Sequence, residues 1–344
     1  MKLNKREFIK SVGAGSAMLA VPAIARAAPV QLKLSHYLPP PHQLTGVLAK
    51  WAEDMRSQSD GELDISVFPA GQMGPPPRQY DLARTGAADF SFVFTAFRPG
   101  RFPLTDLLSL PFSLVGPDAR PRKAAETSWL ATSLKPETAG EYIDTEMLFS
   151  INLTATGFFM NSVQVRTPDD VKGLRIRPTS AVMAEQLKVL GASPATIPPT
   201  EIADAISKGV VDGAIFNFEG GRAFQLQQAV NHVSTLANSS ATFAFIANQA
   251  MMEGLPDELA ALIRDSTGPE AAREIGALYD SSDASGREFM IGEGVEVVDL
   301  VGEAADPFRE ALAPAYEAQL EATRQAHSTT DAVMSKIEQL KAEI

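Results

Sequence analysis

Apolar positions along the chain follow two rhythms. Val30, Leu32 and Leu34 alternate with polar residues, the period of a half-buried strand, and Leu44, Val47, Leu48, Trp51 and Met55 then recur at helical spacing. Alternation returns in Leu63-Asp64-Ile65-Ser66-Val67-Phe68 and stops at Pro69-Ala70-Gly71. The same reading predicts a helix over 78–85 and further strands over 90–94, 147–153, 174–177, 211–216, 242–247 and 295–300. Helices fit 180–190, 200–208 and 256–265. Strands and helices that alternate in this way, without an internal repeat, describe an α/β fold. The last third is different: 269–287 and 307–344 are helix-rich with few breakers. There Val333, Ile337, Leu340 and Ile344 make a narrow apolar stripe, which either packs on its own domain or leaves a homodimer through the C-terminal helix open.

The stretch 167–178 carries the first chemical signal. Thr167 followed by Pro168, Asp169 and Asp170 is a helix start, because a hydroxyl cap, a proline and two carboxylates all suit unpaired N–H groups. Gly173 ends that turn, Leu174-Arg175-Ile176-Arg177 alternates as a strand, and Pro178 stops it. Arg177 therefore stands at the carboxyl end of a strand, where open α/β sheets place their ligand crevices. A guanidinium there can grip a carboxylate through two parallel hydrogen bonds. Arg175 is on the same strand side and is the alternative gripping residue, and a structural ion pair is the bland one.

The N-terminus reads as a cleavable export signal. Lys2, Lys5 and Arg6 precede a small, apolar run, and Ala25-Arg26-Ala27 fits a cleavage site before Ala28. The segment around Lys5-Arg6 is twin-arginine-like with Lys5 in place of the first arginine, so the twin-arginine and general secretory routes both remain open, and a periplasmic location is expected. Removal of 27 residues, five of them Lys or Arg and one Glu, takes the formal charge from −12 to −16 and leaves 317 residues. Such an acidic protein is a poor partner for nucleic acid, and an anionic ligand would need a local cationic site. With no cysteine there is neither a disulfide nor thiol chemistry, and the length suggests two domains.

Several segments, weak singly, fall in an informative order: Phe68-Pro69-Ala70-Gly71-Gln72-Met73-Gly74, Gly86-Ala87-Ala88-Asp89, Leu110-Pro111-Phe112, 167–177, and Gly191-Ala192-Ser193-Pro194 through Glu201 to Val211-Asp212-Gly213. Across nearly the whole mature chain they resemble the DctP-like extracytoplasmic solute receptors of tripartite ATP-independent periplasmic (TRAP) transporters. The resemblance implies a two-lobed α/β binding protein with a mixed sheet in each lobe and long C-terminal helices. It would close on a small organic acid and deliver it to integral-membrane permease subunits. It also implies that an arginine at the position of Arg177 pairs with the ligand carboxylate. The lobes would comprise 28–153 with 242–279, and 154–241 with 280–344. Sialic-acid and dicarboxylate receptors of this kind often continue Val-Asp-Gly with Gln-Glu-Asn, whose Asn touches ligand. Here Ala214-Ile215-Phe216 follows, so Phe216 takes that place and an apolar wall replaces a polar contact.

The expected ligand is thus a monocarboxylate with an apolar or aromatic body, with a dicarboxylate or sugar acid as the alternative. Phe216 and Phe218 alternate and are expected on one side of a strand end, Asn217 and Glu219 on the other, all four near ligand. His36 and Tyr37 close the first strand and Thr95 closes another, so each is a candidate to face the cleft, and His42 is expected to cap the following helix. No catalytic constellation emerges. His36, His42, His232 and His327 are scattered and no G-x-S-x-G occurs, so a secreted hydrolase or lyase, with His36 or Glu219 as base, is a weak alternative. Neither a cofactor nor a metal is expected, although a metal beside Glu219 is conceivable on the resemblance.

Overall fold

The computed structural model describes residues 28–40, 42–116, 120–153, 156–236 and 238–344. The expected export signal lies outside the described residues. Eleven strands alternate with helices: β1 Val30–Ser35, β2 Leu63–Phe68, β3 Phe90–Phe94, β4 Thr145–Leu153, β5 Gly157–Met160, β6 Arg175–Arg177, β7 Ser193–Pro194, β8 Gly213–Phe216, β9 His232–Thr235, β10 Ala241–Asn248 and β11 Glu296–Asp299. They form two mixed sheets, ordered β2-β1-β3-β10-β4 and β11-β9-β5-β8-β6-β7. In the first, β1 runs parallel to β2 and β3, and β10 is antiparallel to β3 and β4. In the second, β5 is antiparallel to β8 and β9 while β6 is parallel to β7 and β8.

Each sheet has its own core. Leu34, Leu44, Leu48, Met55, Phe90, Phe92 and Phe245 are buried on the first, each worth roughly 1.5–3 kcal/mol relative to an exposed side chain. Phe158, Ile176, Met183, Leu187 and Ile215 serve one face of the second sheet, and Phe159, Ala214, Val233 and Met290 the other. The chain passes between the sheets from β4 to β5 and from β9 to β10. The helix Pro269–Gly292 also joins them, contributing Tyr279 to the first core and Met290 to the second.

Elements that lack a clean period escaped the sequence. The β5 residues Gly157-Phe158-Phe159-Met160 are covered on both faces, so they form an apolar run rather than an alternation. The helix Ala124–Ser133 has almost no apolar stripe, because it docks through hydroxyls. Thr127 Oγ1 donates to the Asn152 carbonyl at 2.8 Å, Thr132 Oγ1 donates to the Ser150 carbonyl at 2.9 Å, and Ser128 Oγ accepts from the Asn152 N–H at 3.0 Å. These bonds occupy the free edge of β4 and keep it from pairing with another chain.

The C-terminal stripe is covered by its own chain. Val333, Ile337 and Leu340 of the helix Thr330–Lys341 are buried against Leu104, Leu107 and Leu130, with Ile344 partly buried beside them. That packing removes the apolar face on which a homodimer was considered. The preceding helix Asp306–Ala326 places Phe308 and Leu312 on the second sheet's core and Leu320 against the Leu104 cluster.

Candidate ligand-binding site

The turn after Thr167 builds the approach to the site. Pro168–Val171 forms one 3-10 turn, with Asp170 Oδ2 accepting from the N–H groups of Arg166 and Thr167 at 2.9 and 2.7 Å. Gly173 then adopts φ +76°, a left-handed conformation that glycine accommodates without strain. The chain leaves it as β6 and ends the strand on Arg177. Its neighbour Arg175 is committed elsewhere: Nε and Nη2 donate to Asp212 Oδ2 and Oδ1 at 3.2 and 2.9 Å, at a half-exposed position. Arg175 is therefore no candidate for gripping a ligand.

Arg177 is 5% exposed and, among the described residues, has no carboxylate partner. Its Nε–H donates to the Ile197 carbonyl at 3.2 Å, and the guanidinium carbon lies 5.5 Å from the centre of the Phe216 ring. A guanidinium has five N–H donors, so most of this fork is unspent on protein. Burial pushes its pKa down to about 10, which leaves it charged at neutral pH but costly. A buried cation without an internal counter-charge is a site built for an anion.

Arg177 opens into a cavity of about 100 Å³ between the two sheets, far above the roughly 10–15 Å³ that one water needs. The strand ends supply its lining: Tyr37 after β1, Phe94 of β3, Leu153 of β4, Arg177 and Thr179 at β6, and Phe216 of β8. The walls are aromatic. Phe94 stacks on Phe243 at 4.6 Å and meets Phe97 edge-on at 5.0 Å, Tyr37 meets Phe97 edge-on at 6.0 Å, and Phe216 meets Phe224 edge-on at 5.8 Å. Phe216 is held from behind by Gly220, where a Cβ would stand 2.3 Å from Phe216 Cε1.

The expected site residues divide. Arg177, Phe216, Tyr37, Asn217 and Glu219 all line the cavity. Phe218, Thr95 and His36 do not, and each has a physical reason. Phe216 ends β8 and Phe218 begins the helix Phe218–Ala223, so the strand alternation that put both rings on one side does not exist. Phe218 packs on Phe159 at 5.4 Å and under Arg287. Asn217 and Glu219 line the cavity together with Phe216, not opposite it. Thr95 Oγ1 donates to the Thr242 carbonyl at 2.9 Å and is spent tying β3 to β10. His36 is wholly buried, and burial lowers its pKa to about 4, the Leu38 backbone acting the other way. No hydrogen bond of normal geometry reaches either ring nitrogen of His36.

Other lining residues were not named as site residues. Thr179 Oγ1 is buried with no hydrogen-bond partner among the described residues, two positions beyond Arg177 and ready to serve the same ligand group. A hydroxyl just past an arginine-bearing strand end was a usable signal. Tyr279 comes from the long helix and had none. His42 does cap the helix Gln43–Gln58, its Nδ1 accepting from the Leu44 N–H at 3.2 Å, and it also lines the cavity. Its Nε2 lies 3.4 Å from Glu219 Oε1. Burial, helped by His36, holds the His42 pKa down to about 4, whereas burial and then Asp283 raise Glu219 to about 7. Among the described residues, no group of three or more His, Asp or Glu side chains is placed to hold a metal ion, and no helix is long and apolar enough to cross a membrane.

Comparison with known proteins bears on this geometry. The family model for bacterial extracellular solute-binding protein, family 7 (DctP) matches residues 34–323. The C4-dicarboxylate-binding periplasmic protein DctP of Rhodobacter capsulatus is 21% identical over 328 residues, covering 93% of this chain and 95% of its own. A TRAP periplasmic solute-binding protein from Bordetella bronchiseptica, solved with bound (R)- and (S)-mandelate, superposes with a TM-score of 0.80 at 28% identity, over 92% of this chain and 99% of that one. A TRAP solute-binding protein from Rhodoferax ferrireducens, solved with copurified benzoate, gives 0.83 at 25% identity, over 91% and 98%.

Proposed function

The chain belongs to bacterial extracellular solute-binding protein family 7, the DctP receptors of TRAP transporters, and from that premise we propose that it captures a monocarboxylate with an aromatic body. It is a receptor and not an enzyme. The observation that carries the ligand reading is Arg177, buried without a counter-charge in a cavity walled by Phe94, Phe97, Phe216, Phe224 and Phe243. The carboxylate would pair with the free guanidinium N–H groups and take the Thr179 hydroxyl, while the ring stacks among the phenylalanines. Well-oriented aromatic pairs each contribute about 0.5–1.5 kcal/mol beyond area burial. The mandelate- and benzoate-bound relatives support the same ligand class.

A dicarboxylate is the second reading, favoured by the Rhodobacter relative. Against it, Arg177 is the only Arg or Lys in the described lining, and Glu219 would face a second carboxylate. A sugar acid would leave hydroxyls against phenyl walls, each costing about 1–3 kcal/mol without a partner. Closure of the two lobes on ligand would then present the complex to integral-membrane permease subunits. We further propose export with cleavage after Ala27, so that N-terminal sequencing of the periplasmic protein begins at Ala28. Protein that is freed of copurified ligand by unfolding and refolding should gain melting temperature with benzoate and mandelate but not with succinate or glucuronate. A screen in which only the latter two raise it would refute the aromatic reading.

A further inference from the structure

The carboxylate anchor leaves the one carboxyl of the described lining unexplained. Glu219 is a carboxyl in an otherwise phenyl-lined space, and its surroundings fix it without satisfying it. Its backbone N–H donates to Asp283 Oδ1 at 2.9 Å, which also takes the Asn217 side-chain amide at 3.2 Å. The carboxyl is approached by the Asn217 side chain, which lowers its pKa against burial, and by His42. His42 Nδ1 is committed to accepting from the Leu44 N–H, so its proton sits on Nε2, 3.4 Å from Glu219 Oε1. The helix cap thus selects the His42 tautomer.

We propose that Glu219, beside His42, is the second pole of the ligand site and takes a hydroxyl that the ligand carries away from its carboxylate. The inference rests on Arg177 as the carboxylate anchor. Glu219 lines both the inner cavity and the outer groove beside it, whereas Arg177 lines the inner cavity alone, so the two stand apart in the lining. A carboxyl near 7 accepts from a hydroxyl when ionised and donates to it when protonated, whereas a second ligand carboxylate meets repulsion or must carry a proton. Glu219 and His42 also form the partition between the inner cavity and an outer groove lined by Ser281 and Ser282, so a purely structural wall is the competing role.

Calorimetry with benzoate, 3-hydroxybenzoate, 4-hydroxybenzoate and terephthalate separates the two. The wild-type protein should prefer one hydroxybenzoate over benzoate by roughly ten- to a hundredfold, the effect of a hydrogen bond to a charged group, and should bind terephthalate worst. Glu219→Leu should bring that ratio to about one, and Glu219→Gln, which can still accept and donate, should retain part of it. If Glu219→Leu fails to fold, Glu219→Gln decides: an undiminished ratio overturns the proposal. Equal wild-type affinity for benzoate and both hydroxybenzoates also overturns it and leaves the aromatic-acid reading standing. Failure of every aromatic acid to bind removes both.

Discussion

Replacing Arg177 by methionine should stabilise the ligand-free protein while destroying its binding. Arg177 is 5% exposed, has no carboxylate partner among the described residues, and has its pKa pushed down to about 10 by burial. That is more than a hundredfold change in its protonation constant, or about 3 kcal/mol of penalty for holding the charge inside. Methionine removes the penalty with a similar linear shape, but it strands the Ile197 carbonyl and loses the contact with Phe216. Those losses offset about 1 kcal/mol each, the low end for a half-buried carbonyl and a cation–π contact. The expected net gain is about 1–2 kcal/mol, a rise of roughly 1.5–3 °C in melting temperature for a chain of this size. Carboxylate binding should fall by roughly 10²- to 10³·⁵-fold, the cost of stranding one member of a buried charge pair. Arg177→Lys should recover little, because an ammonium lacks the planar fork. Arg175→Ala is the control: its half-exposed pair with Asp212 contributes at most about 1 kcal/mol and touches no cavity. Scanning fluorimetry of refolded, ligand-free protein and titration calorimetry with benzoate give the two readings. A destabilised Arg177→Met protein that still binds within threefold of wild type would make Arg177 a structural residue and refute the reasoning.

Two more outcomes follow from the same cavity. Phe216→Asn places an amide where a ring now meets Arg177, so the melting-temperature ranking should move from aryl acids towards uronic acids by about 1–3 kcal/mol; an unchanged ranking with lower stability would make Phe216 packing only. Glu219 holds its proton to about 7 when folded against 4.5 ordinarily, so between these values the unfolded chain binds fewer protons and stability falls as pH rises, remaining lowered above 7. Glu219→Gln lacks that leg and should gain up to about 3 kcal/mol on wild type between pH 5 and pH 8. His36, near 4 when folded, acts in the opposite sense in both proteins and cancels in the difference, whereas His42, Asp283 and Tyr279 face Glu219 and are coupled to it, so the difference reports Glu219 together with these neighbours. Melting curves of the two proteins that run parallel from pH 5 to pH 8 would contradict the assignment.

Sequence alone determined what depends on neighbours along the chain. The alternation of Val30, Leu32 and Leu34 makes a strand because side chains on a pleat point to opposite faces, and β1 runs over those residues. The order Thr167, Gly173, Arg177, Pro178 places a cation at a strand's carboxyl end because each residue has a local backbone preference, and β6 ends on Arg177. Where a local signal was missing or misleading, tertiary contact decided. Phe216 and Phe218 look like one strand, but Asp283, brought in by the long helix, accepts the Glu219 N–H and the chain turns into a helix after Asn217. Thr127, Ser128 and Thr132 look like a poor helix until β4 supplies the edge they bond. The pairing of His42 with Glu219 and the arrival of Tyr279 at the cavity come from elements distant in sequence. No spacing encodes them, since the two sheets and the helix that joins them set those distances.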